Sequence, residues 1–265
     1  MILRLSIALF FLTLEASIGS AAVAGALSHI ADGGSWKTII TVVNLSNQPR
    51  NASLLFWDSS GNPMMLPIEG IGTNARIDLS LAANGNATVE TAGIHDAPTQ
   101  VGWASILSDF PDDIGAIAVF RNHISDRLAD QEAAVQLQRR SESHFLLPFD
   151  HTNGLATGVA FANPAQSTDS VTTGSASLVL TFRDEAGNIL LSTTVTTAPG
   201  NHVAFSLTDK YPDLANKRGT LEVVLSNART LTAGSVSALG LRFTPLGSFT
   251  SVNPIVKRPI MATNF

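Results

Sequence analysis

Histidine and carboxylate side chains occur close together at two places in the sequence, and these residue types bind divalent metal ions. His29 with Asp32 is the first group, and His144 with Asp150 and His151 is the second. An internal repeat places the two groups at equivalent strand starts, so they could meet and hold zinc or a related ion. A tightly spaced motif such as H-E-x-x-H is absent. The alternative is that both aspartates accept backbone hydrogen bonds in turns.

Carboxylates cluster again in the stretch Asp109-Phe110-Pro111-Asp112-Asp113, with Asp126 and Asp130 further along the chain. Clustered carboxylates on loops can bind calcium. The D-x-D-x-D-G pattern of a calcium loop is missing, however, and a solvated turn explains the same residues. The chain has no Cys, which removes thiolate metal sites and thiol nucleophiles. The sequence therefore predicts no cofactor.

Catalysis by a serine or by paired carboxylates has little support in the sequence. Serines and six histidines are available, but the G-x-S-x-G motif and the α/β context that it needs are both absent. Glu132 and Asp126 could act as a carboxylate pair in glycoside hydrolysis only at a suitable separation. We predict a protein without enzymatic activity.

All three tryptophans, Trp36, Trp57 and Trp103, lie in the first half of the chain. Strand alternation places Trp57 and Trp103 on the faces opposite the apolar rows of their strands. If these faces are exposed on one sheet, they could form a flat platform on which sugar rings stack. In the alternative, this face packs against the second half of the chain and both indoles are buried there.

Composition narrows the function classes further. The 265 residues are 45% hydrophobic and only 14% charged, against a usual charged share of about 25%. A net charge of −5 offers no basic surface for a phosphate backbone, so we expect no nucleic-acid partner. Without Cys, the stability of the fold must come from packing rather than disulfides.

The amino terminus has the pattern of a secretory signal peptide. Residues 1–4 form a short basic region, residues 5–14 an apolar region, and Ala22-Val23-Ala24 a small-residue cleavage site. Cleavage after Ser20 or Ala26 is the alternative, and we take residues 1–26 as the signal segment. About 10 apolar residues are too few to span a bilayer. The sequence therefore predicts a secreted protein, extracellular or periplasmic, with no transmembrane segment in the mature chain.

Short alternating segments predict β-strands throughout the rest of the chain. In 37–45, Ile40 and Val42 face one way. In 52–57, the inward face is Ala52, Leu54 and Phe56. Further strands are expected at 76–81, 87–91, 102–107, 114–121 and 132–137.

The stretch Asp58-Ser59-Ser60-Gly61-Asn62 returns 126 residues later as Asp184-Glu185-Ala186-Gly187-Asn188. Each copy follows an alternating apolar strand and reads as a hairpin turn in which glycine takes a positive φ. Residues 157–163 match 38–44 in the same register, and a slip of one residue would exchange the two faces. We therefore predict two tandem repeats, 27–141 and 142–265, joined near a charged stretch at 139–143.

Two smaller features belong to this prediction. Residues 206–217 of the second copy can form a short helical turn that the first copy lacks. Arg121 is expected to form a structural ion pair with Glu132.

The arrangement resembles secreted bacterial proteins of soil organisms that carry two degenerate β-sandwich repeats and have no assigned function. The resemblance covers most of the mature chain and implies secretion and the two-sandwich fold. It carries over no catalytic residue. It rests on the stretch from His29 to Thr38, on Val43-Asn44, Val101-Gly102-Trp103-Ala104, Leu147-Pro148-Phe149-Asp150, Thr157-Gly158-Val159-Ala160 and Leu241-Arg242-Phe243.

The predicted fold is all-β, with two tandem antiparallel sandwiches of immunoglobulin or fibronectin type III, since about seven short strands per repeat are expected. The predicted function is that of a secreted, non-enzymatic module for adhesion at a cell surface, in the extracellular matrix or with a protein partner. Carbohydrate binding through Trp36, Trp57 and Trp103 is the alternative, with polysaccharide as the partner.

Overall fold

The computed structural model describes residues 21–123, 130–139, 142–164, 174–226 and 236–257. Extended backbone dominates these residues, and the predicted all-β class is confirmed. Helical structure within them is limited to one turn, α1 (Leu207–Lys210), and two 3-10 turns, Pro111–Asp113 and Pro212–Leu214. None of these helices is long and apolar enough to cross a membrane. The strands are β1 (Ala22–Asp32), β2 (Trp36–Asn44), β3 (Arg50–Asp58), β4 (Leu66–Ile68), β5 (Gly72–Asn74), β6 (Arg76–Leu81), β7 (Asn86–Glu90), β8 (Gln100–Ser108), β9 (Ile114–Asn122), β10 (Gln131–Gln136), β11 (His144–Asp150), β12 (Ala156–Ala162), β13 (Ala176–Arg183), β14 (Ile189–Thr197), β15 (His202–Ser206), β16 (Arg218–Leu225), β17 (Ser237–Phe243), β18 (Phe249–Val252) and β19 (Ile255–Val256).

Two antiparallel sheets form the first half of the molecule. Sheet 1 has the order β1-β8-β3-β6 and sheet 2 the order β10-β9-β2-β7, while β4 and β5 form a separate small hairpin. Alternate residues from both sheets are buried in one apolar core, because strand side chains alternate between faces. The predicted inward rows lie in this core, and they are Ile40 and Val42 on β2 and Ala52, Leu54 and Phe56 on β3.

Two further sheets form the second half. Sheet 3 has the order β14-β13-β16-β11-β19 and sheet 4 the order β15-β12-β17-β18. Leu178, Leu180 and Phe182 on β13 are fully buried in a second core. The two halves have the same strand order. Sheet 3, read as β11-β16-β13-β14, corresponds to β1-β8-β3-β6 of sheet 1, and sheet 4, read as β18-β17-β12-β15, corresponds to β10-β9-β2-β7 of sheet 2.

Equivalent local contacts accompany this equivalent strand order. A Cβ on Gly102 would lie 2.0 Å from the carbonyl oxygen of Trp57, and a Cβ on Gly219 would lie 1.9 Å from that of Arg183. Glycine is therefore required at both positions, because a neighbouring strand passes too close for any side chain. Trp57 and Arg183 are themselves 126 residues apart, which is the spacing of the two hairpin turns.

The predicted strands all occur, with ends that differ by one or two residues, and 76–81 coincides with β6. The helical turn expected in 206–217 is present as α1 and the 3-10 turn after it. Arg121 forms the expected ion pair, with 2.8 Å between its Nε and Oε1 of Glu132.

The end of the predicted signal segment overlaps with the first strand. The basic and apolar regions of the predicted signal lie outside the described residues. The predicted segment 1–26 extends into β1, which begins at Ala22 and pairs with β8 from Ala22 onwards. Ala26 also exchanges two backbone hydrogen bonds of 2.9 Å with Gln138. The cleavage alternatives after Ala24 and Ala26 would therefore cut within a paired strand.

Candidate functional site

Trp57 and Trp103 lie beside each other on neighbouring strands with their rings stacked, 5.9 Å between centroids and 21° between planes. Trp103 is fully buried, and its Nε1 donates a hydrogen bond of 2.7 Å to the carbonyl oxygen of Gly200 in the second half. Trp57 is half-buried and donates from Nε1 to Oγ of Ser105. Because the second half covers Trp103, these rings do not form the flat sugar platform that the sequence left open.

Trp36 also contacts the second half. Its ring packs on Phe249 of β18 with 5.1 Å between centroids, and it is half-buried there. This contact belongs to a third apolar cluster that joins the two halves. Its buried members are Phe120, Ala133 and Val135 from the first half, and Ala160, Leu239, Leu241 and Phe249 from the second.

The predicted metal ligands are not brought together in one site. Asp32 is buried and accepts a hydrogen bond of 2.8 Å from the backbone N–H of Gly93. Asp150 accepts from the backbone N–H and the hydroxyl of Thr152, which is the turn role expected in the alternative. Asp32 also accepts a backbone hydrogen bond, but from a residue 61 positions away in the chain. Among the described residues, no three histidine, aspartate or glutamate side chains are grouped to hold a metal ion. Asp126 of the proposed calcium cluster lies outside them.

His144 instead belongs to an ion cluster around Glu222. The carboxylate of Glu222 lies 2.8 Å from Nε2 of His144 and 2.8 Å from Nζ of Lys257, and 3.3 Å from a guanidinium nitrogen of Arg183. Hydrogen bonds from Lys257 and then His144 lower the pKa of Glu222 to about 2. Since Lys257 follows β19, this cluster ties the end of the described chain to sheet 3.

His29 lies at the contact between the halves and pairs with a histidine that the sequence did not single out. Its Nδ1 lies 3.1 Å from Nε2 of His202, and Nδ1 of His202 lies 3.2 Å from Oγ of Ser59. Burial lowers the pKa of His29 to about 4. Burial, and then repulsion by His29, lowers the pKa of His202 to about 3. Both imidazoles are therefore neutral near pH 7.

The order Ser59, His202, His29 resembles a nucleophile, a base and a group that orients the base. A general base works best when its pKa lies near the operating pH, however, and that of His202 is about 3. The array is therefore a weak base. Its geometric role is clear, because the backbone N–H of His202 also donates to the carbonyl oxygen of Ser59 and so links the hairpin of the first half to β15.

Gln138 provides a further link between the halves. Its side-chain amide accepts a hydrogen bond of 2.9 Å from the N–H of Ala238 and donates one to the carbonyl oxygen of the same residue. At Ala238 of β17, the side-chain amide of Gln138 therefore makes the two hydrogen bonds that the backbone of a neighbouring strand would otherwise make. Together with the apolar cluster around Phe120, these bonds hold the two halves against each other.

An apolar cleft of about 370 Å³ opens beside this contact. Sheet 4 forms its floor, where Gly158 and Ala204 leave space, and His29 and Val101 of the first half form part of its wall. None of the described residues that line it is Lys, Arg, Asp or Glu. The remaining lining residues are Ala156, Val159, Ala160, Phe205, Ser206, Leu239, Leu241 and Phe243.

The outer edges of sheets 1 and 3 differ in a way that bears on binding. β6, at the edge of sheet 1, has six residues and carries an exposed ion pair, 2.8 Å between Nε of Arg76 and Oδ1 of Asp78. β14, at the equivalent edge of sheet 3, has nine residues and no charged side chain. Among the described residues, β13 is the only strand that pairs with β14.

Comparison of the chain with protein-family models, curated proteins and solved structures gives no match.

Proposed function

We propose that this protein is a secreted, non-enzymatic binding module, made of two tandem β-sandwiches, that binds another protein by adding a strand of its partner to β14. The observation that carries this proposal is the long, uncharged edge of sheet 3, where β14 has no second partner strand within the part of the chain that the structure describes.

Exposed strand edges present unpaired backbone N–H and C=O groups, and proteins commonly shield them with charges, with proline or by making the edge short. β6 has two of these features, since it is short and carries Arg76 and Asp78. β14 has neither. Its side chains alternate between the solvent, as at Thr194 and Thr196, and the core, as at Val195. An extended segment could therefore pair along it, with main-chain hydrogen bonds giving affinity.

The equivalence of the two halves supports the tandem two-sandwich part of the proposal. The two halves share strand order, hairpin spacing and the close approach at Gly102 and Gly219, which supports duplication of one sandwich. The immunoglobulin likeness is one of architecture and not of strand order. In the immunoglobulin constant-type sandwich the first two strands share a sheet, whereas β1 and β2 here lie in different sheets.

Secretion is part of the same proposal. Since β1 is paired from Ala22, we place signal cleavage after Ser20, the alternative that leaves the strand whole. The low charge and the absence of Cys suit an extracellular or periplasmic module held together by packing.

Selection from a displayed library of uncharged extended peptides of about ten residues tests the proposal, with the mature chain as bait. We expect selected peptides to alternate apolar and hydroxyl residues and to lose at least about tenfold in affinity for Thr194→Lys/Thr196→Lys, because a lysine on an edge strand discourages pairing. The matched control is Ser80→Lys on β6, at the equivalent edge of sheet 1, which should bind as the wild type does. If the double variant also binds as the wild type does, partner binding does not use β14.

A further inference from the structure

The cleft beside His29 has the properties of a small-molecule site, independently of the edge strand. Its volume of about 370 Å³ lies within the range of about 300–1,000 Å³ common for ligand pockets, and such pockets favour the contact between domains. Most of its lining is aliphatic or aromatic, with two polar side chains, His29 and Ser206. Ser206 already lies 3.2 Å from the hydroxyl of Thr208, which leaves His29 as the main polar group.

The chemistry of the lining restricts the ligand. Because the described lining of the cleft contains no Lys, Arg, Asp or Glu, a charged ligand would lose hydration there without gaining an ion pair from that lining. An uncharged, largely apolar molecule loses little on entering the cleft and gains by covering apolar surface.

The hydrogen-bonding capacity of His29 determines which apolar molecules the cleft should bind most tightly. Its Nδ1 is held by His202, and Nε2 has no hydrogen bond to protein within the described residues. The edge contact with Phe120, 5.6 Å between centroids, fixes the orientation of the imidazole ring. An imidazole nitrogen can donate to or accept from a hydroxyl group, depending on the tautomer.

We propose that this cleft binds an uncharged aromatic or alicyclic alcohol, with the ring over the floor formed by Gly158 and Ala204 and the hydroxyl group hydrogen-bonded to Nε2 of His29. The floor is open because its side chains are small, and the hydrogen bond between His29 and His202 orients a polar group at the cleft. The function is reversible binding, with no bond made or broken in the ligand.

The test uses three probes of similar shape, naphthalen-1-ol, naphthalene and naphthalene-1-carboxylate, titrated into the mature chain at pH 7.5. We expect naphthalen-1-ol to bind at least about tenfold more tightly than either of the others, since one net hydrogen bond corresponds to about that factor. His29→Phe keeps an aromatic ring and should abolish the preference for naphthalen-1-ol over naphthalene.

Ala204→Phe supplies a test that does not depend on the histidine. Ala204 is exposed on β15, so a larger side chain can fill the cleft without entering the core. It should weaken naphthalen-1-ol binding at least about tenfold, whereas Ala134→Phe, at an exposed alanine of β10 outside the cleft, should leave it unchanged.

Three results would overturn the proposal: no saturable binding of naphthalen-1-ol up to about 1 mM, equal binding by wild type and Ala204→Phe, or tighter binding of the carboxylate. Peptide binding at β14 is measured separately and should be unaffected by Ala204→Phe, so the two proposals fail independently.

Discussion

Asp58 and Asp184 close two hairpins, 126 residues apart, with the same hydrogen bonds. Oδ1 of Asp58 accepts from the backbone N–H of Ser60 at 2.8 Å and of Asn62 at 2.9 Å. Asp184 repeats both bonds at 2.9 and 2.8 Å, and the glycine of each turn has a positive φ, 82° at Gly61 and 85° in the second copy. Desolvation acts most strongly on Asp58 and would raise its pKa, but the donors of Asn62, Ser60 and Gly61 together outweigh it and lower the pKa. The pKa of Asp184 is lowered mainly by the side-chain and backbone donors of Asn188.

The two equivalent aspartates should nevertheless differ in their effect on stability. The first hairpin contacts the second half, because Ser59 bonds to His202 and a Cβ on Gly61 would lie 3.1 Å from the carbonyl oxygen of Gly200. We expect Asp58→Ala to lower the free energy of unfolding by about 1–2 kcal/mol and Asp184→Ala to lower it less. Urea unfolding of both variants measures this, and a larger loss for Asp184→Ala would contradict the assigned contact.

Trp103 should stabilise the contact between the halves through its ring nitrogen. Trp103→Phe keeps most of the buried ring but removes the donor to the carbonyl oxygen of Gly200, and we expect a loss of about 1–3 kcal/mol in the free energy of unfolding. Trp36→Phe is the control, since it retains an aromatic ring against Phe249. Losses of the same size in the two variants would argue against the Trp103 hydrogen bond.

The buried histidine pair should make stability depend on pH. In the unfolded chain His29 and His202 titrate near pH 6.5, whereas in the folded protein their pKa values are about 4 and about 3. The unfolded state therefore binds more protons below pH 6.5, and the free energy of unfolding should fall as the pH is lowered from there. Allowing for the partial exposure of His29, we expect about 1–3 kcal/mol between pH 6.5 and 4.5.

The double variant His29→Asn/His202→Asn separates this effect from others. His151 also has a pKa lowered by burial and contributes with the same sign, so some slope should remain. Glu222, with its pKa lowered from 4.5 to about 2, loses its contribution only below that window. Urea unfolding between pH 4.5 and 7.5 should give a smaller slope in the double variant. Identical slopes would show that the pair does not titrate as described.

The start of β1 predicts where the mature chain begins. Ala24 and Ala26 are buried, and a Cβ on Gly25 would lie 2.7 Å from the carbonyl oxygen of Gln138. A chain of residues 27–265 lacks these contacts. Its free energy of unfolding should be about 2–4 kcal/mol lower than that of a chain of residues 21–265. Urea unfolding compares the two, and the mass of the secreted protein should match cleavage after Ser20. Equal stability and a mature chain starting at residue 27 would contradict this assignment.

Local patterns in the sequence were enough to predict where the strands lie. Alternation at Ile40 and Val42 identified the inward face of β2, and it also placed Trp103 correctly on the face opposite Ala104. It could not show that the second half covers that face, because covering depends on how two distant sheets pack. The His29–His202 contact joins residues 173 positions apart and left no local signal.

At the predicted signal-peptide boundary, the residue pattern does not distinguish between two possibilities. Small residues around Ala22-Val23-Ala24 suit a peptidase site, and they equally suit a strand that lies against a neighbouring backbone, as Gly25 does against Gln138. One pattern therefore fits two structures. Likewise, Asp32 and His144 have side chains that metals prefer, but their partners in space are Gly93 and Glu222.

Hydrogen exchange along β14 tests strand addition most directly. Amides of β14 that point away from β13 have no partner strand among the described residues, and they should exchange fast in the free protein. With a selected peptide bound, we expect exchange in Ile189–Thr197 to slow by at least about tenfold while β6 exchanges at its original rate. Unchanged exchange in β14, with protection elsewhere on the surface, would contradict the account.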